Sequence, residues 1–178
     1  MMISIAESFD NVSDLEYILK GKYEKWLILG SNHPVINECY LLESDSNELN
    51  FGLGIAVTGT GIMPKILLVE NYQTVYIGFD SYIAAVSTIR PSSTIESRLS
   101  ELDWIFFDMF LLKNGNICVI HEIGAQVFMR DLTKVWSFSK DIVSNWVISE
   151  EQGRLSLTQM DTEEIINLSI STGAILAA

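Results

Sequence analysis

Two histidines carry most of the chemistry open to this chain, and they lie far apart in it. His121-Glu122 ends an apolar run, Ile117-Cys118-Val119-Ile120, and begins like the zinc-protease signature His-Glu-x-x-His. That signature works because two imidazoles on one helical face reach a single metal ion. Here position 125 is Ala and no second histidine follows, so the pattern ends with its first pair. An imidazole beside a carboxylate at a strand end can still hold a ligand or move a proton. His121 and Glu122 are therefore the candidate ligand-binding residues. His33, the other histidine, sits in the turn sequence Gly30-Ser31-Asn32-His33-Pro34.

The remaining chemical patterns fail on context. Asp45-Ser46-Asn47-Glu48-Leu49-Asn50 starts like a calcium loop, but its fifth position is Leu49 and its twelfth is Ala56, neither of which offers a side-chain oxygen. Gly52-Leu53-Gly54 and Gly59-Thr60-Gly61 have no lysine after them and open no clear helix, so they do not read as a phosphate cradle. Asp161, Glu163 and Glu164 read as a charged hairpin tip. No Gly-x-Ser-x-Gly elbow is present, and Cys39 and Cys118 sit in apolar segments where a thiol is an ordinary packing group. The expectation is no catalytic residue, no metal ligand set and no cofactor.

The elements that would position these residues are strands. A strand-and-turn unit recurs three times at a spacing of about forty residues, the period of propeller and solenoid arrays. Its copies are Thr74–Gly78 with Tyr82–Val86, then Gly115 to Val127 with Lys134–Phe138, then Gly153–Leu157 with Ile165–Ser169 and Ser171-Thr172-Gly173. Upstream, Trp26–Leu29, Glu38–Leu42 and Lys65–Val69 read as strands, and the glycines of 52–61 mark a bent one. Trp104–Phe107 reads as a strand covered on both faces. Ser92–Leu102 is read as strand, although Ile95, Leu99 and Leu102 also fit a helical face. Ser13 with Glu16 makes a capping box, and Gly21 suits the position past a helix end, which predicts one short helix at 13–20.

The second copy also carries a family resemblance. Gln126-Val127-Phe128-Met129-Arg130-Asp131-Leu132-Thr133-Lys134-Val135-Trp136-Ser137-Phe138 resembles the blade motif of quinoprotein-like and WD-type β-propellers. In that motif a strand ends at Asp, turns through Thr-Gly and resumes as aliphatic-x-Trp-x-Phe. Asp131, Thr133, Trp136 and Phe138 match it, while Lys134 replaces the turn glycine. Thr172-Gly173 is similar to the same corner in a further copy. The resemblance covers residues 66–178 and implies architecture: turn amides satisfied by Asp or Thr, and a Trp wedged between neighbouring sheets. It implies no quinone, because the adjacent cysteine pair of quinone-dependent dehydrogenases is missing.

The expected fold class is mainly β, with antiparallel blade-like sheets forming a partial or degenerate propeller of about three repeats and one short N-terminal helix. The chain of 178 residues reads as a single domain, 1–62 holding the helix and irregular strands and 63–178 the repeats. Its net charge of −12 would repel phosphate backbones and acidic lipid surfaces, which argues against nucleic acid and membrane partners. The start, Met1–Glu7, has neither a basic segment nor a long apolar run, so a cytoplasmic location is expected. The function expected is non-catalytic binding of another, basic protein, an acidic immunity or antitoxin-like protein being the specific form. The alternatives are a small-ligand binder or hydrolase built on His121 and Glu122, and a self-associating repeat protein that dimerises through an open sheet edge.

Overall fold

The structure, a computed structural model, describes residues 2–44, 51–89 and 94–177. The described residues are mainly β, arranged in four antiparallel-rich sheets with one α-helix. The calcium-like loop 45–50 lies outside them. No helix among them is long and apolar enough to cross a membrane. The chain divides into two compact units, Met1–Leu99 and Ser100–Ala178.

The first unit opens with a strand that the sequence reading did not anticipate, β1 (Ile3–Phe9). Helix α1 (Val12–Lys22) and β2 (Trp26–Leu29) follow, then β3 (Glu38–Ser44) and β4 (Gly52–Val57). The sheet order is β1-β3-β4-β2, with β2 parallel to β4 and the other pairs antiparallel. The helix starts earlier and ends later than 13–20. Asn11, not Ser13, is the N-cap: its side chain accepts from Asp14 N at 2.9 Å, and its amide donates to the Asp14 carboxylate at 2.8 Å. Asn at this position satisfies an amide that the first turn leaves without a partner. Gly21 lies inside the helix, and Tyr23 closes it by donating its N–H to Leu19 O at 2.9 Å.

The glycines of β4 are a seat for this helix rather than a bend. A Cβ on Gly52 would lie 2.6 Å from side-chain atoms of Leu19 and Tyr23, and one on Gly54 would lie 2.7 Å from Leu15. Leu15 and Leu19 can thus reach the sheet and are fully buried. The second sheet is a meander of β5 (Lys65–Val69), β6 (Thr74–Phe79), β7 (Tyr82–Ser87) and β8 (Ser97–Glu101). Phe51, Leu53 and Ile55 pack with Val75, Ile77 and Val86 to make the core of the unit. The strand reading of 92–102 holds for 97–101, and residues 92 and 93 lie outside the described residues.

The second unit repeats the meander. β9 (Phe106–Leu111), β10 (Ile117–His121), β11 (Gly124–Phe128) and β12 (Lys134–Ser139) form one sheet; β13 (Val143–Ser149), β14 (Arg154–Gln159) and β15 (Ile165–Ser169) form the next. The strand expected at 104–107 begins only at Phe106, and Trp104, ahead of it, is 48% exposed rather than covered. The segment after β15 returns as a short antiparallel edge: Leu168 bridges Ile175, and Leu176 N donates to Asn167 O at 2.8 Å.

Two corners eighty residues apart, one in each unit, match at the level of single hydrogen bonds. Glu70–Tyr72 and Glu150–Gln152 each form a 3-10 turn closed by a left-handed residue, Gln73 (φ 48°) and Gly153 (φ 61°). The carbonyl of that residue then accepts from Thr88 N at 2.7 Å in the first case and from Ile170 N at 2.9 Å in the second. Gly124 marks the tightest approach in the second unit, since a Cβ there would sit 1.9 Å from Phe138 O. The obstacle is backbone and cannot rotate away. Gly124→Ala is expected to cost about 2–3 kcal/mol by forcing β11 from β12, read as a lowered urea midpoint at unchanged slope.

Candidate functional site

His121 ends β10 and is completely buried. Neither ring nitrogen has a hydrogen-bond partner among the described residues. Burial pulls its pKa down to about 4; the charge of Asp103 works against that fall, and Lys134 adds to it. The ring is therefore neutral at physiological pH. Glu122 follows in the turn and is half-buried, with its backbone engaged: Glu122 N donates to Ile105 O, and Glu122 O accepts from Val143 N, both at 2.8 Å. His33 is exposed in the other unit, with Nδ1 2.9 Å from Val35 O. A ligand arriving from water meets Glu122 but not the His121 ring.

A polar cluster near His121 escaped the sequence reading. The Asp103 carboxylate accepts from Ser137 Oγ at 2.5 Å and from Lys134 Nζ at 2.9 Å. Partial burial works against the Asp103 charge, yet these two donors hold its carboxyl below the usual carboxylate value. The buried Gln126 accepts from Asp103 N at 3.4 Å. Serine, histidine and aspartate are thus all present, but a hydrolytic triad needs the imidazole between nucleophile and carboxylate. Here Ser137 donates directly to Asp103, so its proton is already committed and no base stands beside it.

The motif residues behave as a joint. Asp131 Oδ1 accepts from Thr133 N at 3.0 Å, and Thr172 Oγ1 accepts from Ala174 N at 3.3 Å. The left-handed residue in the first corner is Leu132 (φ 65°), and Lys134 has no positive φ, so a lysine in place of the motif's glycine imposes no strain there. Trp136 is 8% exposed and donates Nε1–H to Ile170 O at 2.8 Å. Gly173 (φ 71°) lies so close that a Cβ would sit 2.7 Å from the indole. The two copies of the motif therefore touch each other: Trp136 of one is received by Gly173 of the next. Phe138 packs against the same core.

An accessible feature of the second unit is a groove of about 710 Å3 between β9 and β13. Both are edge strands, each pairing on one side only. Phe110, Leu111, Trp146 and Ile148 supply apolar wall, and Asp108, Glu150 and Glu151 add three carboxylates against the one ammonium of Lys113. Glu150 Oε2 accepts from Lys113 N at 2.6 Å, which ties together the corners after the two strands. Phe107 and Trp146 approach to 6.4 Å between ring centroids. Along each strand a backbone N–H is taken by the preceding side chain, Met109 N by Asp108 (2.8 Å) and Trp146 N by Asn145 (2.9 Å). Such capping leaves fewer donors for an incoming strand.

Cys39 and Cys118 are buried free thiols; burial raises both, Cys118 to about 12, so neither is a ready thiolate. No group of three or more His, Cys, Asp or Glu that could hold a metal ion occurs among the described residues. No protein-family model matches the chain, and no curated protein matches it.

Proposed function

We propose that the protein is a non-catalytic binding protein, built from propeller-blade-like sheets, that receives an extended basic segment of another protein in the groove between β9 and β13. The observation that carries this reading is the pairing of apolar wall with carboxylate excess along that groove. Lysine or arginine side chains would meet Asp108, Glu150 and Glu151 while their stems or neighbouring apolar residues cover Phe110 and Trp146. The Trp136–Gly173 joint supports reading the sheets as blades. An immunity or antitoxin-like role toward a basic toxin is the specific form of this function.

Overall charge gives less direction than the groove. Residues 1–99 hold six basic and twelve acidic residues and 100–178 hold five and eleven, so each unit carries −6. The burial of His121 and the engagement of Ser137 weigh against catalysis there, and the capped N–H groups of β9 and β13 weigh against self-pairing through those edges.

The test is fluorescence anisotropy with labelled hexapeptides of alternating Lys-Leu and Glu-Leu. The lysine peptide is expected to bind, more weakly as salt rises, and Glu151→Lys at the exposed rim should weaken it about threefold. Equal binding of the two peptides would sink the proposal.

A further inference from the structure

We propose that the cavity between the Gly30 turn and the β6–β7 hairpin binds a primary ammonium group carried on a small apolar body. This site lies wholly within the Met1–Leu99 unit and is independent of the groove. Its volume is about 530 Å3, inside the roughly 300–1,000 Å3 range of small-ligand sites. Leu27, Leu29, Phe79 and Tyr82 give it apolar walls, and Leu99 at the mouth is 52% exposed. The Phe79 and Tyr82 rings stand 5.8 Å apart at 36°, with Phe79 buried and Tyr82 the more open of the two.

The lining fixes the sign of the ligand. It includes the Asp80 carboxylate and no lysine or arginine. Arg98 lies between Ser97 and Leu99 on β8, and strand alternation sends it to the face opposite theirs. Asp80 is held in place: one carboxylate oxygen accepts from Thr58 N at 2.9 Å and the other from Thr58 Oγ1 at 3.0 Å. A carboxylate oxygen can accept twice, so each keeps capacity for a further donor. The backbone at Asp80 has φ 44°, a left-handed conformation that aspartate tolerates better than most residues. Asp80 is the first of the two residues that connect β6 to β7, so the hairpin turn fixes its backbone beside the cavity.

The rim is built as firmly. Gly30 (φ 76°) has no room for a side chain, since a Cβ would lie 2.2 Å from Ala56 O. His33 N donates to Gly30 O at 3.1 Å and closes the turn. Nδ1 of His33 is engaged with Val35 and Ser31 Oγ donates to Ile28 O at 3.3 Å, which leaves Nε2 of His33, with Asn32, at the polar side of the cavity. An ammonium at Asp80 with its apolar body against Phe79 and Tyr82 satisfies both halves of the cavity.

A free amine and a lysine side chain share this chemistry, and the experiment separates them. The full chain is titrated by 1H–15N NMR with 2-phenylethylamine, with uncharged 2-phenylethanol and with acetyl-Gly-Lys-Gly-amide. The better amine should shift the Gly30, Phe79 and Tyr82 amides saturably and bind at least about tenfold more tightly than the alcohol. Tighter binding of phenylethylamine supports the site as one for a free amine; tighter binding of the tripeptide supports it as one for a lysine side chain. Asp80→Asn, which keeps an oxygen for Thr58 and tolerates positive φ, should reduce amine affinity at least about tenfold. Should that variant fail to fold, Leu99→Trp at the exposed mouth fills the cavity instead and is expected to cause a similar loss. Equal binding of amine and alcohol, no saturable shift up to about 10 mM of either amine probe, or unchanged affinity in a folded variant overturns the proposal.

Discussion

Trp136→Ala is expected to destabilise the second unit by about 3–5 kcal/mol, the loss typical of a large buried aromatic. Three separate contributions disappear together. The indole buries apolar area within the cluster of Leu155, Leu157, Leu168 and Ile170. Its N–H satisfies Ile170 O, which would otherwise be a buried acceptor without a partner. Its ring fills the space that Gly173 leaves by having no side chain. Urea denaturation of the full chain reads the loss as a lowered midpoint. Trp136→Phe separates the contributions, since it keeps most of the area and drops the N–H; about 1–2 kcal/mol is expected for it. A Phe variant as unstable as the Ala variant would assign the effect to the hydrogen bond, and an Ala variant of unchanged midpoint would remove the joint from the account of stability.

The second large effect is a pH dependence centred on His121. Its ordinary pKa near 6.5 falls to about 4 in the folded chain, mainly through burial. Between those values the unfolded chain binds the proton and the folded chain does not, so stability falls as pH is lowered from 6.5 toward 4. A gap of this size corresponds to about 3 kcal/mol. His121→Leu removes the titration and the two unsatisfied ring nitrogens together. It is expected to flatten the stability profile over that window and to keep or raise stability at pH 7, because replacing an unpartnered buried polar group by an apolar one is neutral or favourable. Stability curves for parent and variant that run parallel from pH 7 to pH 4 would contradict the burial of a neutral imidazole.

The strands of the repeat were legible because their turns are chemically explicit. Gly115, Gly153 and Gly173 all sit at positive φ, and Asp131 and Thr172 cap their corners as the motif implies. The N-terminal region was less legible for local reasons. In β1 the alternation of Ile3, Ser4 and Ile5 is broken by a register shift between Ile5 and Glu7, which erases the period of two. Ser13 with Glu16 satisfies the capping pattern in sequence, but Asn11 lies nearer the true end of α1 and takes the role. Gly52 and Gly54 suggested a bend because the helix resting on them is invisible from their own segment.

The sites were harder to read than the sheets. His121 was singled out for its company with Glu122, yet neighbouring residues at a strand end go to different surroundings, and the imidazole went inward. The groove joins Asp108 and Phe110 to Trp146 and Glu151 across a strand-to-strand repeat of about forty residues. The Asp80 cavity joins residues from the β2 turn, the β6–β7 hairpin and β8. No local spacing announces such a meeting; only the order of strands within the sheets brings it about.

That order also distributes the entropy of folding unevenly. In the sheets after β4, neighbouring strands follow one another along the chain, and pairs such as Phe79 with Tyr82 or His121 with Gly124 close over a few residues. The first sheet is different. Ile3 pairs with Ser44 and Trp26 with Gly52, so it forms only after the chain has looped back around α1. Loop closure over such spans is paid before any contact there rewards it. The N-terminal sheet therefore supplies the high-contact-order part of a molecule whose other sheets assemble from local hairpins.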